Sequence, residues 1–170
     1  MKLSMRHNSL MLASLAAAAL FQLTPTAMAA DNTLTSAEKK AGWALLFDGK
    51  TTKGWHNFLD KGVKPGWVIK DGVLKCEDPH NAGDIVTDKK FSWFELSIDF
   101  NYEKDQNSGV MFHVNDVSDA AWHSGPEIQI YDHKFEPGVQ TTGFLYELYA
   151  GQKDAAKPAG QWNHFRIIVS

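Results

Sequence analysis

The chain of 170 residues has a single cysteine, Cys76, and so no internal disulfide. A fold without that staple has to rest on a hydrophobic core, which a chain of this length is long enough to bury. A large excess of either charge is also missing: 17 basic against 20 acidic residues give a formal net charge of −3, with no basic footprint for nucleic acid. There is no glycine-rich phosphate loop, no HExxH or paired CxxC zinc spacing, and no GxSxG nucleophile elbow. The nucleotide, zinc and serine-hydrolase chemistries that depend on those motifs are therefore without support. No long amphipathic helix pattern occurs. Beyond the first 30 positions no apolar run approaches the roughly 20 residues that span a bilayer.

The N-terminus is of another kind. Lys2 and Arg6 precede an apolar run from Leu10 to Phe21, broken only by Ser14, and Pro25 and Ala27-Met28-Ala29 follow. This predicts a signal peptide over residues 1–29, cut after Ala29, and an exported domain over 30–170 that is periplasmic or secreted. The apolar run is too short for a membrane span, and no cysteine at the cut site offers a lipid anchor.

The remainder reads as β-structure. Thr35-Ser36-Ala37-Glu38 is a capping-box pattern and predicts one short helix, Ser36 to Ala41. Strands are expected at Trp43 to Phe47, at Trp67 to Lys70 and Val73 to Lys75 around the hairpin signal Asp71-Gly72, and at Ile85 to Thr87. Phe94, Leu96, Ile98, Phe100 and Tyr102 alternate with Glu95, Ser97, Asp99 and Asn101, a strand with one buried and one polar face. Further strands are expected at Gly109 to Asn115, Glu127 to Tyr131, Phe144 to Tyr149 and His164 to Val169. Many short strands separated by Gly, Asp and Pro predict an all-β, antiparallel sandwich in one domain. Cys76 is expected as a small buried apolar group rather than a nucleophile. The last strand runs to Ser170 with no turn after it, which predicts a longer parent domain, truncated at its C-terminus.

The stretch Asn107 to Asp132 carries the candidate chemistry. Alternation puts Glu127, Gln129 and Tyr131 on one face of a strand and Ile128 and Ile130 on the other. On the preceding strand it sets His113 with Met111, making His113 a candidate to share the face of Glu127. A carboxylate, a carboxamide, an imidazole and aromatic rings on one sheet face suit a sugar, although solvated residues of an ordinary sheet would look the same. Glu127-Ile128-Gln129-Ile130-Tyr131-Asp132 is similar to the E-x-D-x-x-E signature of retaining glucanases. Here Gln129 replaces the central acid, and Asp132 falls on the opposite strand face from Glu127. Retaining hydrolysis needs two carboxyl groups about 5 Å apart, so that mechanism is disfavoured. The histidines, His113, His123, His133 and His164, are scattered rather than set at metal-ligand spacing.

The succession LFDGKTTKGW (Leu46 to Trp55), WVIKDGVL (Trp67 to Leu74), DIVTDKKFSWFELSIDF (Asp84 to Phe100), NSGVMFHV (Asn107 to Val114), GPEIQIYD (Gly125 to Asp132) and AAKPAGQWNHFRIIV (Ala155 to Val169) resembles the 3-keto-disaccharide hydrolase family. The resemblance implies a concanavalin A-like jelly roll and a hydrolase acting on carbohydrates already oxidised at C3. A C3 ketone acidifies the C2 proton, so a base can remove it and the enolate can expel the glycosidic oxygen from C1; water then adds back. For that chemistry Glu127 or His113 is expected as the base, with the other assisting departure of the leaving group, and Asn107, Gln129, His123, Tyr146 and Lys157 are expected to bind substrate. A divalent metal ion at the enolate is a further expectation that no spacing demands. The alternative is a non-catalytic carbohydrate-binding module on the same fold, with a glucanase third. A perturbed carboxyl within reach of the sugar face would favour the enzyme.

Overall fold

The structure is a computed structural model and describes residues 2–6, 32–132 and 138–170. Among the described residues ten strands form in chain order: β1 (Lys2–Arg6), β2 (Trp43–Leu45), β3 (Trp55–Asn57), β4 (Trp67–Lys70), β5 (Val73–Cys76), β6 (Ile85–Thr87), β7 (Phe94–Phe100), β8 (Asn107–Met111), β9 (Glu127–Tyr131) and β10 (Asn163–Val169). The one α-helix among the described residues, α1 (Ser36–Lys40), starts at the expected capping box: the Thr35 hydroxyl accepts from the Glu38 N–H, and the Glu38 carboxylate accepts from the Thr35 N–H. Every strand pairing is antiparallel, giving a sheet ordered β10-β7-β1-β2 and three two-stranded ribbons, β3-β6, β4-β5 and β8-β9. The β4-β5 hairpin turns through Asp71 and Gly72, both at positive φ (51° and 76°), the geometry a two-residue hairpin needs and that Asp-Gly supplies at low cost.

β7 is the spine of the core. Its apolar row, Phe94, Leu96 and Ile98, is buried with Phe47, Leu74 and Ile167, and Val110 and Ile128 of the β8-β9 ribbon pack against them. Phe100 and Tyr102 continue inward beside Ile130. The chain is thus an antiparallel β-sandwich, with the β8-β9 ribbon laid by its apolar face onto the β7 layer. The polar row of β7 is not wholly solvated: Glu95 is buried, and its Oε1 accepts from Arg166 Nε of β10 at 2.6 Å. Asp99 meets His164 Nδ1 at 2.8 Å.

Several expectations need correction. β8 ends at Met111 rather than Asn115, because His113 takes φ 54° and the extended alternation cannot pass through it. Phe144 to Tyr149 is a run of turns in which Leu145 bridges to Ile128 and to Tyr149; Gly143 at φ 85° and Glu147 at φ 57° bend the backbone out of a strand. Cys76 is exposed at the end of β5, and partial desolvation of its thiol, followed by the nearby charge of Asp78, pushes its pKa up, away from a reactive thiolate. Lys2–Arg6, inside the expected leader, pairs with both β7 and β2. The apolar run from Leu10 to Phe21, the cut site at Ala29, and His133 lie outside the described residues. Among the described residues no helix is long and apolar enough to cross a membrane.

Candidate active site

The site is built on the face of the β8-β9 ribbon that turns away from the core. The register pairs Met111 with Glu127, Gly109 with Gln129 and Asn107 with Tyr131, so these six share that face, as alternation predicts for the β9 residues. Beyond β9, the Ile128–Leu145 bridge sets Tyr146 beside Glu127, with the Tyr146 N–H donating to the Glu127 carbonyl at 2.9 Å. Tyr146 is exposed and Glu127 half-buried. The backbones of Glu127 and Tyr146 therefore run side by side at one end of the ribbon.

The Glu127 side chain does not project straight out. It lies back along its own sheet over Gly109, in the space a side chain at that position would fill. Burial raises its pKa above the ordinary glutamate value, and the negative charge of Asp84 pushes in the same direction. Asp84 comes from the β3-β6 ribbon. There the Phe58 N–H donates to the Asp84 carbonyl and the Asp88 N–H to the Gly54 carbonyl, each at 2.9 Å, extending the ladder by one pair at both ends. By register Asp84, Val86 and Asp88 share a face with His56, whose Nδ1 lies 2.6 Å from Asp88 Oδ1. A shallow pocket on this side is lined by His56, Leu59, Asp60, Lys61 and Asp116.

The other expected site residues separate. Gln129 shares the face of Glu127 but is buried, and its Oε1 accepts from the Ile130 N–H at 3.0 Å, so its carbonyl serves the backbone. Asn107 shares the face at the far end of the ribbon, about 13 Å along at the usual rise of about 3.3 Å per residue. His113, cut off from the strand by its positive φ, holds the Ser92 carbonyl through Nε2 at 2.8 Å and meets the Trp93 and Phe112 rings edge-on. The alternation that was to bring it to the face of Glu127 stops at Met111. His123 lies in the 3₁₀ turn Ala121–His123, four residues ahead of Glu127; Asp119 Oδ1 sits 2.5 Å from its Nδ1, and Trp122 packs against its ring. That contact lowers the Asp119 pKa, through the hydrogen bond and then the charge of His123. Lys157 is tied to its own loop, Nζ donating to the Trp162 carbonyl at 2.8 Å, while its carbonyl accepts from Tyr102 Oη at the opposite end of the sandwich. Sequence reasoning missed Gly109 and Asp84. A glycine inside a strand opposite a polar row is a signal of close approach; Asp84 had none, because only the tertiary fold brings it near. Among the described residues no three His, Cys, Asp or Glu side chains gather as metal ligands.

The profile of the 3-keto-alpha-glucoside-1,2-lyase-like domain matches residues 42–170. The chain belongs to that family. Over 152 residues it is 29% identical to the 3-keto-disaccharide hydrolase of Bacteroides thetaiotaomicron, a stretch covering 75% of this chain and 52% of that protein. The chain thus spans about half the length of this curated relative. A crystal structure of a presumed glycosyl hydrolase from Parabacteroides distasonis superposes with a TM-score of 0.72 at 31% identity, over 82% of this chain and 70% of the other. A second from the same species gives 0.53 at 28%, over 70% and 59%. Glu127, Tyr146 and Asp84 lie inside the span matched by the 3-keto-alpha-glucoside-1,2-lyase-like family.

Proposed function

We propose that this chain is a glycoside-cleaving enzyme acting on 3-keto-glycosides, and that Glu127 is its base. The observation that carries the reading is the carboxyl of Glu127: half-buried, with a raised pKa, on a sheet face beside Tyr146. A carboxylate whose conjugate acid is weaker than usual is a better proton acceptor, and a C2–H next to a ketone is the kind of weak acid it can deprotonate. Glu127 takes the C2 proton; the C2–H electron pair becomes the C1=C2 bond; the C1–O bond breaks and the departing oxygen takes up a proton. Water then adds across C1=C2, leaving hydroxyl at C1 and hydrogen at C2, so the sum is hydrolysis. Tyr146, whose backbone pairs with that of Glu127, brings a phenol to this end of the ribbon, and His123, oriented by Asp119, stands in the loop leading into β9.

The name of the Bacteroides relative supports the 3-keto substrate class, and the Gln at 129 argues against the glucanase route, which would want a second acid there. A perturbed carboxyl also favours catalysis over a binding module. The basic start and apolar run of the leader pattern support action outside the cytoplasm. The test is exchange at C2. Incubated in D₂O with a 3-keto-glucoside, the wild-type chain should place deuterium at C2 of the released sugar, and Glu127→Gln should place none. Cleavage without deuterium at C2 would sink the elimination route.

A further inference from the structure

We propose that Gly109 is a positioning residue for Glu127, its missing side chain providing the recess in which the carboxylate lies; the catalytic meaning of this rests on the role given to Glu127 above. A methyl group at position 109 would overlap Glu127 Oε1 and come within 2.5 Å of Cδ and 2.6 Å of Cγ. Those are the atoms of one flexible side chain. In the loop leading into β9, a methyl at Gly125 would instead strike backbone, 2.5 Å from the Phe112 carbonyl oxygen. Nor does position 109 need glycine for its backbone. It sits within β8, paired with Gln129, and its φ is outside the left-handed region. The interior of a strand ordinarily disfavours glycine, which has nothing to pack and more chain entropy to lose. The feature that glycine alone permits here is the carboxylate laid across it.

The geometry is diagonal. Glu127 is paired directly with Met111, and Gly109 lies two residues along the partner strand on the same face, within reach of a long side chain. With Met111 filling the direct position, the open ground at Gly109 lets the Glu127 side chain fold onto the sheet, where it loses water. Alanine at 109 closes that ground and leaves the carboxylate only outward, more hydrated directions.

The experiment is Gly109→Ala, read by unfolding midpoint, by kcat and KM on a 3-keto-glucoside, and by carbon-detected NMR titration of the Glu127 side-chain carboxyl. Expected are a folded protein, a Glu127 titration moved down toward that of an ordinary glutamate, and kcat reduced at least tenfold with KM changed less. Gly138→Ala, where a methyl meets nothing within 4 Å, is the control that should leave all three as they are. An unmoved titration in folded Gly109→Ala would overturn the proposal. A moved titration with full turnover in both Gly109→Ala and Glu127→Gln would uphold the positioning and overturn the catalytic role of Glu127. Should Gly109→Ala unfold, the pair Gly109→Ala/Glu127→Ala gives the new methyl room and should recover the midpoint of Glu127→Ala alone; failure to recover it would count against the recess.

Discussion

The carboxylate of Glu127 lies over Gly109, the residue two along from its paired neighbour Met111, and that diagonal contact places the acid flat on the sheet rather than out in solvent. Burial there raises its pKa, and the charge of Asp84 adds to the rise.

A carboxyl whose pKa is higher in the folded than in the unfolded chain binds its proton more tightly when folded. Its ionisation therefore costs stability, fully above the folded pKa and not at all below the unfolded one. Glu127→Gln should raise the unfolding midpoint at pH 7, and the gain should vanish as the pH falls below the ordinary glutamate value. Turnover at pH 7 should drop by about 10²- to 10⁴-fold, the usual contribution of a positioned general base. Thermal unfolding across pH, run beside the activity assay, checks both.

Asp84→Asn removes the negative charge that helps raise the Glu127 pKa. The acidic limb of the pH profile of kcat/KM should move to lower pH, with the limb still present because burial remains. A limb that stays in place would show that Asp84 has no hold on the base.

The β-structure was largely legible because alternation and hairpin turns are local. The Asp71-Gly72 turn, β6 and β9 lie where the sequence puts them, and β7 alternates as expected. The misses have local causes of another sort: single residues in the left-handed region, His113 and Glu147, which are not Gly and so give no warning. His113 shows the consequence, since one turned residue sends the imidazole to Ser92 and breaks the parity argument that tied it to Glu127. The site was half legible. Face sharing of Glu127 and Gln129 follows from period two, but the burial of Gln129 and the approach of Asp84 depend on what the fold lays over the ribbon.

Glu95 is buried with its carboxylate against Arg166, whose own side chain is largely exposed. Arg166→Met should leave a buried acid without this partner and cost about 3 kcal/mol, the lower end of what breaking a buried pair costs. Urea denaturation at neutral pH measures it.

Gly72, at φ 76° in the β4-β5 turn, is a position where an L side chain is strained. Gly72→Ala should lose about 1 kcal/mol or a little more, without effect on KM, since the turn is remote in sequence from the residues assigned to the site. Denaturation and kinetics on one preparation test the two halves together.

The most direct measurement of the central claim is turnover of a 3-keto-glucosyl disaccharide and its unoxidised parent side by side, with wild type and Glu127→Gln. The expected result is release of 3-keto-glucose from the oxidised sugar by the wild type only, and no cleavage of the parent by either. Cleavage of the unoxidised disaccharide, or undiminished turnover by Glu127→Gln, would contradict it.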